Sequence, residues 1–133
     1  MSDTSAVLLS EQEVMIRDAA RKVAQEVVAA TAAERDRSGA WPRSELKAVG
    51  ELGFLGMHVP EEYGGSAATF PEYCLAIEEF AAADAGFATI LHVHNGLAGA
   101  VVHAGTEAQK RKYLPGMASG ETIVAGLLTE PQA

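Results

Sequence analysis

Residues 85–105, AGFATILHVHNGLAGAVVHAG, contain no Asp, Glu, Lys or Arg. The chain as a whole is 21% charged, so a gap of this length indicates side chains that are shielded from water. We therefore predict that the stretch forms the central, buried helical layer of the fold. Asp84 is placed to cap the start of this helix, and the glycines from Gly96 to Gly99 predict a break or kink within it.

A membrane span is the alternative for this stretch, because about 20 apolar residues are enough to cross a bilayer. The stretch also holds three histidines, an asparagine and several glycines, which are costly in hydrocarbon. No cluster of basic residues flanks it to set an orientation. The composition therefore predicts a helix buried in protein and no membrane span.

The overall composition limits the class of protein. With 133 residues the chain is long enough for one domain with a hydrophobic core. The formal net charge is -8, and no Lys or Arg occurs between Lys47 and Lys110, so we expect no nucleic-acid partner. The single cysteine, Cys74, and an acidic N-terminus without a signal peptide predict a protein of the reducing cytoplasm.

Three capping boxes predict the starts of further helices. In each, a Ser or Thr precedes a Glu or Gln by three residues, and the two side chains can bond each other's backbone N–H groups. The pairs are Ser10 with Glu13, Thr69 with Glu72, and Thr106 with Gln109.

Apolar spacing predicts which faces of these helices are buried. The first helix carries one stripe and breaks at Ser38-Gly39, a short helix follows Pro42 and ends near Gly53, and an irregular loop, FLGMHVPEEYGG, comes next. We predict that Cys74 is a buried structural thiol. The residues expected inside are Ile16, Ala20, Val23, Val27 and Ala30 in the first helix, Leu46 and Val49 in the second, Phe70, Tyr73, Ile77 and Phe80 in the third, and Tyr113, Leu114 and Met117 in the last.

The final segment changes character. Ile123, Val124, Leu127 and Leu128 form a short apolar run that includes β-branched residues, which predicts a strand. A single strand needs partners, and no other segment resembles one. We therefore predict an all-α bundle of about five to six helices over residues 1–120, with residues 121–133 as the first strand and turn of a β-domain that the chain lacks.

Residue patterns alone give little chemistry. His92 and His94 point about 200° apart on a helix, so they cannot clamp one metal ion, and we expect no metal site. No nucleophile motif occurs, and no residue is assigned a catalytic role. One helix face, made by Ile90, Val93, His94 and Leu97, could line an apolar ligand pocket, although plain core packing explains the same spacing.

The order of several motifs resembles the N-terminal region of the acyl-CoA dehydrogenases. The motifs are GELGFLG at residues 50–56, EEYGG at 61–65, HNGLAG at 94–99, GTEAQKRKYLPGMASGE at 105–121 and TEP at 129–131. The resemblance covers the chain from about Leu8 to Ala133. It implies a helical N-terminal domain, a middle β-domain and a C-terminal four-helix domain, with FAD between them and a homotetramer as the common assembly.

The resemblance also implies an activity. Acyl-CoA dehydrogenases desaturate an acyl-CoA thioester: a carboxylate removes the α-proton, the β-hydrogen leaves as hydride to FAD, and electrons pass to an electron-transfer flavoprotein. By position, Leu128 and Thr129 would contact the flavin. Ile90, Val93, His94 and Leu97 would line the acyl pocket. The catalytic carboxylate belongs to the C-terminal domain, so no acid of this chain is expected to be catalytic.

The sequence departs from the family pattern at its end. The family motif continues past TEPxA into GSD, whereas this chain stops at Ala133, and Gly126 and Leu127 replace an aromatic and a smaller residue. We therefore expect the chain alone to be inactive, not to retain FAD, and to self-associate through its uncovered apolar surfaces. The alternatives are a stand-alone helical interaction module, or a relative with oxidase, desulfinase or monooxygenase chemistry.

Overall fold

The structure, a computed structural model, describes residues 9–127 and 129–132. Within these ranges the fold is all helical and contains no strand, which confirms the predicted class. Its first helix contains a π-helical turn, so five continuous helical rods result. The elements are α1 (Glu11–Val23), the π turn (Ala24–Val28), α2 (Ala29–Ser38), α3 (Arg43–Glu51), a 3-10 turn (Glu61–Tyr63), α4 (Phe70–Ala83), α5 (Ala85–Ala104) and α6 (Glu107–Ser119).

The helix starts lie where the capping residues predict them. All three capping boxes form, at the first residues of α1, α4 and α6. Asp84 caps α5, because its carboxylate accepts the backbone N–H of Phe87 at 3.0 Å. At the end of α2, Gly39 adopts a left-handed backbone with φ 66°, which confirms the predicted break. Local hydrogen bonding therefore determines most of the boundaries.

The π turn changes which side chains of the first rod are buried. The extra residue in the turn shifts the apolar stripe, so Ala24 and Val28 are buried together with Val23. The predicted continuation of the stripe to Ala30 is wrong, because this residue is exposed. The buried stripe packs α1 against α4 and forms the larger part of the core.

Arg35 joins α2, α3 and the corner between α4 and α5. Its guanidinium lies 2.8 Å from a carboxylate oxygen of Glu45 and 2.6 Å from one of Asp84. Burial opposes ionisation of Glu45, but hydrogen bonds from Thr31 and Ser44 and the charge of Arg35 outweigh it and lower its pKa to about 2. The charged groups at this corner are partly buried, and ion pairs and hydrogen bonds between them stabilise it.

The loop between α3 and α4 belongs to the core. It is irregular, as predicted, yet Phe54, Leu55, Met57 and Val59 are all buried. Its tight path depends on Gly65, where an added Cβ would lie 2.0 Å from the carbonyl oxygen of Val59. The glycines of this motif therefore permit close approach of the backbone.

The predicted break in α5 is wrong, because the helix is continuous from Ala85 to Ala104. Its glycines leave room beside the helix instead. A Cβ at Gly96 would meet nothing within 4 Å, and one at Gly99 would lie in ordinary contact with His58. A helix tolerates such glycines at a cost of about 1 kcal/mol each relative to alanine.

The helix α5 is buried on one face only, so the predicted central buried layer needs correction. Its buried residues are Phe87, Ala88, Leu91, His94, Asn95 and Ala98. Among the described residues, this helix is the one with the length and mean hydropathy, 1.3, of a membrane span. It packs against α4 and α6 and buries two polar side chains there, which favours a core helix.

Besides Ala30, three side chains of α4 and α6 predicted to be buried are exposed. Cys74 is exposed, because it lies about 100° around α4 from the buried Tyr73. Phe70, at the start of α4, is 70% exposed, and Tyr113 of α6 is 43% exposed. Both rings border open clefts beside α5. Spacing along one helix cannot show that a neighbouring surface stays open.

Residues 121–127 follow α6 as an irregular segment without strand structure. Ile123 and Val124 are partly buried, whereas Leu127 is fully exposed. A strand forms only with a partner strand, so the predicted first strand of a β-domain and the domain division at residue 120 stay predictions.

Candidate functional site

The four residues predicted to line a pocket do not meet in one cavity. Ile90 lies in a cleft of about 540 Å³ beside Trp41 and Phe87. Leu97 lies in another cleft of about 450 Å³, between α5 and α6. Val93 is 38% exposed on the surface of α5 between them. Seven residues of helix separate Ile90 from Leu97 by about 10 Å, so one helix face contributes to two clefts.

His94 is fully buried and its ring is saturated by hydrogen bonds. The backbone N–H of Val124 donates to Nδ1 at 3.2 Å. That nitrogen therefore carries no hydrogen, and Nε2 donates to the carbonyl oxygen of Met117 at 3.0 Å. Burial lowers the pKa of His94, which keeps the ring neutral. This side chain connects helices and has no ring nitrogen left for a ligand.

Asn95, which the sequence analysis did not single out, has a similar structural role. Its amide oxygen accepts the N–H of Met57 at 3.0 Å, and its amide nitrogen donates to the carbonyl oxygens of Phe54 and Leu91 at 2.9 and 3.1 Å. A fully buried amide needs such partners. The presence of an asparagine in an otherwise uncharged helix was therefore the sequence signal for this role. His94 and Asn95 together fix the two irregular segments that flank α5.

The opposite face of α5 is open and uncharged. We call it the open face; its exposed residues are Thr89, His92, Val93, Gly96, Ala100 and His103. Tyr73 of α4 reaches this face, where its hydroxyl lies 2.7 Å from Nδ1 of His92. The open face therefore combines apolar surface with one oriented imidazole.

A third histidine lies next to this pair. The ring of His58 packs on Tyr73 with 4.2 Å between centroids, and burial lowers its pKa. His58 and His103 line a cleft of about 510 Å³ over Gly96 and Gly99. Despite these histidines, the described part of the chain holds no group of three metal-ligating side chains.

The segment proposed to contact a flavin is only partly described. Leu128 lies outside the described residues, and Thr129 is exposed. Ala125, Gly126 and Leu127 are exposed on an irregular backbone next to the cleft that contains Leu97. The assignment of Leu128 and Thr129 as flavin contacts therefore stays a prediction.

Comparisons with known proteins agree with this geometry. The acyl-CoA dehydrogenase of Bacillus subtilis (strain 168) is 35% identical over 126 residues, which are 94% of this chain and 33% of that protein. The chain thus spans about a third of the length of this curated relative.

Two solved structures share the fold. The first is described as an electron transferring flavoprotein of Acidaminococcus fermentans; it has a TM-score of 0.90 and 40% identity, over 96% of this chain and 34% of that one. The second is an acyl-CoA dehydrogenase complexed with FAD from Bacillus anthracis, with a TM-score of 0.81 and 37% identity, over 94% and 22%.

A family comparison covers nearly all the described helices. The family described as "Acyl-CoA dehydrogenase, N-terminal domain" matches residues 10–121, from the capping serine of α1 to the residue after the left-handed glycine that ends α6. Because this match covers most of the chain, including the open face, the chain belongs to the acyl-CoA dehydrogenase family as an N-terminal domain.

Proposed function

We propose that this domain forms one wall of the acyl and flavin sites of an FAD-dependent acyl-CoA dehydrogenase, which desaturates an acyl-CoA thioester between its α and β carbons. The observation that carries the proposal is the open face of α5, which is uncharged along its length and lies near the exposed segment 125–127. An apolar acyl chain needs such a surface, and burying a charge against it would be costly.

The four predicted acyl contacts differ in exposure, and this difference supports different roles for them. Side chains on the open face can reach a ligand, which favours Val93. Ile90 and Leu97 border the two neighbouring clefts and could contact longer or branched groups. His94 would act indirectly, because its two hydrogen bonds position segment 121–127. Its role in the site is then to hold backbone, not to touch the acyl group.

FAD, when bound, supplies the hydride acceptor. This chain would contribute Thr129 and neighbouring backbone groups at one edge of the flavin, together with Leu128. The base that removes the α-proton would lie outside this chain, so the chain alone would be inactive. An electron-transfer flavoprotein as acceptor, a homo-oligomer and a cytoplasmic location are further parts of the proposal; a structural neighbour described as an electron transferring flavoprotein supports the first.

The test uses the full-length gene product. Its visible spectrum is recorded anaerobically before and after addition of a panel of acyl-CoA thioesters, and we expect a flavin absorbance that bleaches with at least one of them. Val93→Arg should raise KM about tenfold or more by placing a charge on the open face. Gln25→Arg, on an exposed part of the π turn, is the matched control. A colourless protein indifferent to every thioester would instead favour the helical interaction module.

A further inference from the structure

We propose that His92, positioned by Tyr73, selects acyl groups that carry an oxygen acceptor along or at the end of the chain. The substrate class would be acyl-CoA thioesters with a hydroxyl, carbonyl or carboxylate oxygen in the acyl group. This inference rests on the proposed function, because it assumes that the open face of α5 meets the acyl group.

The hydrogen bond between Tyr73 and His92 sets the tautomer of the imidazole. Tyr73 is buried, and burial raises its pKa to about 12, so the phenol keeps its hydrogen. Among the described residues His92 is its one hydrogen-bond partner, at 2.7 Å. Because a buried phenol O–H needs an acceptor, we assign its hydrogen to the bond with Nδ1, and this assignment places the ring hydrogen of His92 on Nε2.

The Nε2–H group is a donor on the open face. His92 is exposed, and the described structure contains no hydrogen bond from its Nε2. No carboxylate lies on α5 after the capping Asp84, so the helix offers this donor no charged acceptor. In the isolated domain water satisfies the group. Once an acyl chain and the rest of a pocket cover the face, the donor needs an acceptor from the ligand.

Space for such a ligand group lies one turn away. Gly96 follows His92 by four residues on the same helix face, and a Cβ there would meet nothing within 4 Å. The ring of His58 packs on Tyr73 with 4.2 Å between centroids, and this contact limits the movement of the phenol. A plain alkyl chain would fill this space but leave Nε2–H unpaired, whereas an oxygenated chain would satisfy it.

The test compares kcat/KM of the full-length flavoprotein for matched thioesters. At four carbons the set is butanoyl-, 4-hydroxybutanoyl- and succinyl-CoA, and at six carbons hexanoyl-, 6-hydroxyhexanoyl- and adipoyl-CoA. We expect an oxygenated member to exceed its alkyl counterpart about tenfold at one length or both. The hydroxyl and carboxylate arms separate a neutral acceptor from an anionic one.

Variants assign the preference to the two residues. His92→Leu should bring the ratio of oxygenated to alkyl substrate within about twofold of one, and His92→Gln, which keeps an N–H donor, should retain part of it. Tyr73→Phe should lower the ratio partially, since the imidazole loses its orienting bond. Gln25→Leu, a polar-to-leucine change at an exposed position of the π turn, should leave the ratio as in the parent.

Two results would overturn the inference and are distinguishable. If alkyl thioesters are oxidised as well as or better than the oxygenated ones, or if His92→Leu keeps the preference, the proposed function stands and the selective role of His92 is wrong. If no thioester of either kind bleaches the flavin, the proposed function fails and the inference fails with it.

Discussion

The backbone N–H of Val124 donates to Nδ1 of His94 at 3.2 Å. Through Nε2 the same ring donates to the carbonyl oxygen of Met117, so one side chain of α5 fixes both the end of α6 and the segment that follows it. The residues proposed for the flavin come directly after this segment. Their position therefore depends on an imidazole that can make both bonds only while it is uncharged.

Replacing His94 by leucine should destabilise the protein by about 1–3 kcal/mol, because the substitution leaves the part-buried Val124 N–H without a partner and removes one of the two hydrogen bonds that the Met117 carbonyl oxygen accepts. Urea unfolding followed by circular dichroism measures the change. His103→Leu is the matched control, and since His103 is exposed its effect should stay within about 0.5 kcal/mol. Equal effects of the two substitutions would contradict this role of His94.

Stability should fall as the pH is lowered below neutral. Burial lowers the pKa values of His94 and His58, whereas in the unfolded chain both should titrate near the ordinary value of about 6.5. Below that pH the unfolded chain binds protons that the folded chain does not, so the free energy of unfolding decreases.

We therefore expect a lower urea midpoint at about pH 5.5 than at about pH 7.5, and little change between about pH 7.5 and 8.5, where both states are neutral at these positions. A midpoint that rises on acidification would show that the buried histidines gain their charge in the folded state.

Replacing Asn95 by leucine, which is similar in size, should cost about 2–4 kcal/mol. The change leaves the Met57 N–H and the Phe54 carbonyl oxygen unpaired in the core. Asn95→Asp keeps an acceptor for Met57 but removes both donors and introduces a buried acid, so it should also destabilise, and more strongly at neutral than at acidic pH. Thermal unfolding of both variants at two pH values tests this, and an unaffected Leu variant would contradict it.

Two glycine-to-alanine changes should have opposite signs. Gly65→Ala should destabilise by about 2 kcal/mol or more, because its Cβ would meet the Val59 carbonyl oxygen at 2.0 Å. Gly96→Ala should stabilise the protein by about 0.5–1 kcal/mol, since alanine favours helix and the site has room. Differential scanning calorimetry of the two variants against the parent compares them directly. Similar Tm shifts for both would contradict the assigned packing.

Helix starts could be predicted from the sequence because their causes are local. The pair Ser10 and Glu13 satisfies its own backbone groups within one turn, and Asp84 caps α5 in the same way. The apolar spacing within a helix, by contrast, did not show which side chains are exposed. Tyr113 and Cys74 continue plausible apolar patterns, but both side chains are exposed.

The site was harder to predict, because the surroundings of its residues come from elements that are distant in sequence. Spacing places Ile90 and Leu97 on one face, yet their surroundings come from Trp41 in one cleft and from Tyr113 in the other. Likewise, nothing near His92 in sequence indicates that Tyr73 of the preceding helix holds its ring. Such contacts require the crossing geometry of α4, α5 and α6.

The π turn at Ala24–Val28 sets the phase between the two halves of the first rod. A normal helix advances about 100° per residue, so deleting one residue of this turn would restore α-helical winding and rotate α2 relative to α1 by about that angle. Arg35 would then turn away from Glu45 and Asp84. In an alignment of relatives, a gap at this turn would therefore indicate that the corner of the bundle is not held by the same ion pairs, even where the flanking sequences look alike.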